Sequence, residues 1–141
     1  MIEGRRAAAF VYTTLVADAG AGGVNTLLGG RIYPQRAPQN VTLPCCVIQL
    51  VSATPTNTTG GRRVFKTALV DVHLIAEGAS MDPLDDIADR IDTVLQNAGG
   101  SQDSATVVEL VQDAEQEFTE DEAGKVYMHS VTTWRTAVHS T

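Results

Sequence analysis

The chain has 141 residues, of which 43% are hydrophobic, and a formal net charge of −7 at pH 7. This length corresponds to about one domain with one core, and its apolar runs are far shorter than the roughly 20 residues that a membrane-spanning helix needs. The negative charge argues against a dedicated nucleic-acid-binding protein, because lysine and arginine supply most of the sequence-independent affinity for phosphates.

A first helix is predicted over residues 5–18, where apolar residues recur at helical spacing. It ends in residues 19–23, because three glycines in five positions disfavour a helix. A brief extended piece at residues 31–33 follows. Pro34, Pro38 and Pro44 then predict a loop, since proline cannot take part in regular strand pairing.

A long hairpin is predicted next, with a buried strand over residues 45–53, a polar tip over 54–61 and a returning strand over 62–77. In the returning strand the apolar residues share one parity, whereas Asp71 and His73 lie on the other. One face of the sheet should therefore carry the core, and the other should be wet or lie in an interface.

The strongest helix signal covers residues 82–97. Asp82 suits the N-cap, Pro83 suits the first helical position, and the apolar residues that follow form one stripe.

Two further strands, residues 106–118 and 125–138, are joined by a predicted acidic turn over residues 119–124. The order of elements predicts an α+β fold, with a mostly antiparallel sheet of four to five strands and two helices packed on one face. We expect a single domain over residues 1–141.

No catalytic, cofactor-binding or metal-binding set is predicted. The three histidines show no spacing typical of an active site, and Asp71 with His73 is a pattern more often found on ordinary sheet surface. The sequence contains no CxxC, HxxxH or HxH motif, and the glycines between residues 20 and 30 lack a phosphate-loop lysine. We therefore expect a non-enzymatic protein without a cofactor.

Charge is divided unevenly along the chain. Residues 1–66 carry seven basic and two acidic side chains, a net of +5, whereas residues 67–141 carry three basic and fifteen acidic ones, a net of −12. Unlike patches on different surfaces would favour head-to-tail self-association.

These charges supply the interface candidates. The basic cluster near residue 62 could instead be a solvated hairpin shoulder or a DNA contact, and the acidic run could be a solvated strand face or, less favourably, a calcium site. The candidates are Arg31, Arg36, Arg62, Arg63, Lys66, Glu115, Glu117, Glu120, Asp121 and Glu122.

Residues 27–38 read LLGGRIYPQRAP and are followed by Leu43-Pro44 and an apolar run over residues 47–51. This stretch resembles the tail-completion family of long-tailed bacteriophages, whose members are also called tail-terminator or head-tail joining proteins. The predicted order of helix, hairpin, helix and final strand pair is similar to that family's layout over nearly the whole chain.

The resemblance implies a structural virion protein at the head-tail junction, assembled in the host cytoplasm. It implies a ring homo-oligomer, usually hexameric, that ends tube growth and docks the tail to the head. The implied partners are other copies of the chain, the tail tube protein and the head-completion or connector protein. Double-stranded DNA would pass through without specific binding, and no membrane is involved. The residues alone leave one alternative open, a stand-alone α+β module that binds a small ligand or peptide without catalysis.

Overall fold

The computed structural model describes residues 2–57 and 63–140, which form an α+β fold. In chain order the elements are α1 (Ile2–Ala17), α2 (Val24–Leu27), β1 (Ile32–Pro34), β2 (Cys45–Asn57), β3 (Arg63–Glu77), α3 (Asp82–Leu95), β4 (Gly100–Gln102), β5 (Ala105–Val107), β6 (Val111–Glu122) and β7 (Lys125–Ser140). None of the helices in this part of the chain is long and apolar enough to span a membrane.

The strands form one seven-stranded sheet in the order β1-β2-β3-β7-β5-β4, with β6 also paired to β7. The pair β1 and β2 is parallel, and the other neighbouring pairs of strands are antiparallel. The α+β class and the mostly antiparallel pairing are therefore confirmed. The predicted count of four to five strands is wrong.

The strand count differs because the single strand predicted over residues 106–118 is two strands. β5 pairs with the carboxyl end of β7, whereas β6 pairs with the rest of β7. Between them, Leu110 binds the segment after α3, donating its amide to the Ala98 carbonyl and accepting from the amide of Asn97. The short strand β4 is the other addition, whereas β1 corresponds to the extended piece predicted over residues 31–33.

The core lies between the sheet and the two long helices. Alternation along β3 buries the predicted apolar parity on the side where α1 and α3 pack. Both helices therefore cover the same face, as predicted. The core residues include Ala7, Val11 and Leu15 of α1, Val70, Val72 and Leu74 of β3, Leu84, Ile87, Ile91 and Leu95 of α3, and Trp134 of β7.

An ion pair joins the two helices. Arg90 of α3 donates two hydrogen bonds, of 2.8 and 2.7 Å, to the Asp18 carboxylate just after α1. The Asp18 carboxylate also accepts the Val24 amide at the start of α2. The hydrogen bonds from Arg90 lower the pKa of Asp18 to about 2, although partial burial opposes them.

The prediction for α3 was accurate to about two residues at its end. Asp82 is the first helical residue rather than the N-cap, a position that Met81 occupies. The Asp82 amide donates to the Ser80 hydroxyl, and Pro83 is the second helical residue rather than the first, although it still lies in the first turn.

Candidate interaction surfaces

The β6 strand forms one exposed edge of the sheet. Across the described residues it pairs with β7 alone, and nearly every side chain along it is exposed. Its backbone groups on the outer side therefore have no strand partner. An edge of this kind is a template for pairing with another chain, and charged side chains are a common way of protecting it.

Acidic residues lie on both faces of this edge. The predicted acidic turn is mostly strand, because only Ala123 and Gly124 form the turn, both with positive φ. Register with β7 puts Glu115, Glu117 and Asp121 on the helix-bearing side, and Glu120 and Glu122 on the opposite side.

The opposite edge of the sheet is formed by β1 and β2. Only Cys46, Val47 and Ile48 of β2 pair with β1, so in the described chain residues 49–57 have β3 as their sole strand partner. Pro55 is tolerated there because an edge position does not require its missing amide hydrogen.

A groove runs beside this edge, between α1 and the β1–β2 strands. It has a volume of 220 Å³, and Arg5, Tyr12, Pro34 and Leu50 are among the residues that line it. A register shift between Leu50 and Ser52 leaves Val51 as the bulged residue, and its side chain is 53% exposed.

The basic interface candidates divide into accessible and inaccessible residues. Arg36 is exposed, and half-buried Arg31 donates from Nε to the Pro44 carbonyl at 2.8 Å. Arg62 lies outside the described residues, as does the side chain of Arg63. Lys66 is buried, with its ammonium 3.4 Å from the Glu3 carboxylate, and so it is not presented to a partner in this structure.

The sheet face away from the helices carries an aromatic and imidazole cluster. His73 Nε2 and His129 Nδ1 lie 2.7 Å apart, and the Phe118 ring stacks on His129 with centroids 4.7 Å apart. The Glu120 carboxylate lies 3.5 Å from His129 Nε2. Burial lowers the pKa of His73, and the neighbouring His129 lowers it further.

This cluster was not predicted. Sequence reasoning paired His73 with Asp71, but the Asp71 carboxylate accepts a hydrogen bond from the Thr133 hydroxyl at 2.6 Å. The length of the turn between β6 and β7 is the signal that would have predicted this cluster, because it sets the register of the two strands. Counting outward from a two-residue turn at Ala123-Gly124 sets Phe118 opposite His129, as the register has it.

We expect His73→Asn to reduce the loss of stability on acidification. Because the pKa of His73 in the folded chain is below its ordinary value of 6.5, the unfolded chain binds a proton more readily, and the free energy of unfolding falls as pH falls through that value. Calorimetry should show a drop in the wild-type melting temperature between about pH 7.5 and 5.5, and a smaller drop in the variant.

The control for this experiment is Gln116→Ala, which changes the same sheet face and leaves both imidazoles in place. Its melting temperature should follow that of the wild type across this pH range. If the melting temperatures of the wild type and the His73 variant fell equally with pH, the lowered pKa of His73 could not be the cause of the loss of stability.

The described residues offer no arrangement typical of catalysis. No group of three or more His, Cys, Asp or Glu in residues 2–57 and 63–140 could hold a metal ion. Burial raises the pKa of the Cys45 and Cys46 thiols, although Arg31 opposes this at Cys45, so both are protonated at neutral pH. Both cysteines are free and buried.

The chain is similar to known proteins in both sequence and fold. The family model described as tail completion protein gp17 matches residues 10–139. A chain from the virion of a native gene transfer agent particle is similar in structure, with a TM-score of 0.64 and 16% sequence identity over 90% of this chain and 91% of that chain. At this identity the likeness concerns the fold. No curated protein matches the sequence.

Proposed function

The chain belongs to the tail completion protein gp17 family, and from that membership we propose that it caps the head-proximal end of a tail tube as a ring and joins the tail to the head connector. The family is structural and non-enzymatic, and the chain is a component of a virion tail. The ring, its hexameric state and its docking partners are the proposal. In it, residues 1–141 act as one domain.

The observation that carries the proposal is the contrast between the two edges of the sheet. The β6 edge carries acidic residues on both faces. The β1–β2 edge lies beside a groove that Arg5 lines, and the exposed Arg36 comes two residues after the end of β1. Unlike surfaces on two different edges of one molecule favour head-to-tail contacts, which close into a ring when the rotation permits.

The size of the chain is compatible with such a ring. A globular chain of this length has a radius of gyration of about 14 Å, hence a diameter of about 37 Å as a uniform sphere. Six spheres in contact enclose a hole about as wide as one sphere, which admits a DNA duplex. Acidic side chains at the lumen would repel phosphates, so the genome would pass without specific binding.

We propose the tail tube protein, the head-completion or connector protein and other copies of this chain as the partners. The interface candidates Arg31, Arg36, Glu115, Glu117, Glu120, Asp121 and Glu122 keep that role in the proposal. Arg62 and Arg63 remain candidates on the sequence alone.

Electron microscopy of particles made without this protein tests the proposed function. Loss of the cap should give tails that are longer than wild type and carry no heads, because nothing would stop addition of tube subunits or join the tube to the connector. Supplying the wild-type protein in trans should restore tail length and head attachment. Normal particles in its absence would overturn the proposal.

A further inference from the structure

The β2 and β6 edges lie on either side of the central strands β3 and β7. In the order β2-β3-β7-β6, the outer strands are separated by two others. They are therefore two separate surfaces of one chain. A contact between the β2 edge of one copy and the β6 edge of the next can be repeated along a series of copies.

Few acidic charges are available at the β2 edge. Glu3 and Asp18 are the acidic residues before β3, and each is paired with a cation of the same chain, Lys66 and Arg90. Arg5 and Arg36 are exposed and make no ion pair within the described residues. The uncompensated charge at this edge is therefore positive.

The β6 edge shows the opposite balance. Glu117, Asp121 and Glu122 make no ion pair in the part of the chain that the structure describes, and Glu115 accepts a hydrogen bond from Gln112. Phe118 on the same strand is 38% exposed. The edge therefore combines free negative charge, an exposed aromatic ring and unpaired backbone groups.

We propose that the β6 edge of one copy docks against the α1 and β1–β2 edge of the next, with Glu115 and Glu117 facing Arg5 and Arg36. Exposed Val51 and the apolar groove beside it receive the apolar part of the contact. The occupant of the groove is a second copy, because the same chain carries both members of the complementary pair. This inference rests on the proposed ring and names the surfaces that form it.

Charge reversal at each edge, alone and together, tests the contact. Glu115→Lys with Glu117→Lys makes the β6 edge basic, and Arg5→Glu with Arg36→Glu makes the opposite edge acidic. Each pair alone sets like charges against each other and should weaken association by more than about tenfold. The chain with all four changes restores complementarity and should recover association to near the wild-type value.

The control is Asp89→Lys with Asp92→Lys, on the exposed side of α3. It changes the net charge by the same amount as the two Glu→Lys substitutions on β6. It should associate like the wild type. Association is measured by mass photometry of the protein alone and after binding to purified tails that lack it. Raised salt should weaken the wild-type contact, since it screens exposed charges.

The outcomes separate this inference from the proposed function. If the wild type forms rings on tails and neither edge variant weakens them, or the combined variant shows no recovery, the assigned surfaces are wrong although the ring stands. If the wild type forms no oligomer either alone or on tails, the proposed function fails with it. Weakening by each edge and recovery by both together would support the assignment.

Discussion

Trp134→Ala is expected to lower the free energy of unfolding by about 3–5 kcal/mol, the usual cost of truncating a buried aromatic residue. Trp134 is fully buried, faces the helices from β7, and donates its indole N–H to the Thr132 hydroxyl at 2.9 Å. Since proteins of this size are stable by only about 5–15 kcal/mol, the variant should be close to unfolding. Urea titration followed by circular dichroism measures the change.

Tyr127→Ala is the matched control, because it truncates another aromatic residue of β7 that is only half-buried. Its cost should be clearly smaller. Trp134 lies opposite Val70 of β3 and Gln112 of β6, so its loss should loosen the strand that connects the body of the sheet to the acidic edge. Equal destabilisation by the two variants would contradict the placement of Trp134 at the centre of the core.

Lys66→Glu is expected to destabilise the fold by about 3–5 kcal/mol, the cost typical of breaking a buried ion pair. The substitution sets a carboxylate against the Glu3 carboxylate at a site where the two side chains are 7% and 9% exposed. Glu3 lies in the first turn of α1, so the repulsion should loosen that helix from the sheet. Chemical denaturation of the isolated chain measures this cost without any assembly.

Lys125→Glu serves as the control. Lys125 lies 3.9 Å from Glu77, and both side chains are largely exposed, so its reversal should cost no more than about 1 kcal/mol. A Lys66 variant as stable as the wild type would show that this lysine is available to a partner, as its place in the sequence first indicated. The predicted result instead assigns Lys66 to the fold.

The α+β class, the long helix α3 and the buried parity of β3 could be predicted from the sequence because each depends on local periodicity. Asp82, Pro83 and the apolar stripe that follows them all lie within the α3 segment itself, so they indicate the helix without any distant contact. The resemblance carried by residues 27–38 also identified the family, which the match over residues 10–139 confirmed.

Features that depend on distant partners could not be predicted in the same way. The parallel pairing of Ile32 with Cys46 and the division of β7 between β5 and β6 are set by tertiary contacts. Burial of Lys66 depends on Glu3, which is far away in sequence. A lysine that closely follows two arginines is normally predicted to lie on the surface, and only the folded structure shows that Glu3 is the partner of Lys66.

The central claim is that this chain is a building block whose two unlike edges join copy to copy. Cryo-electron microscopy of the head-tail junction tests it most directly. The account predicts a closed ring of this protein at the head-proximal end of the tube, with the β6 edge of each copy against the α1 and β1–β2 edge of the next. A junction that lacks the protein, or a ring whose copies meet through other surfaces, would contradict it.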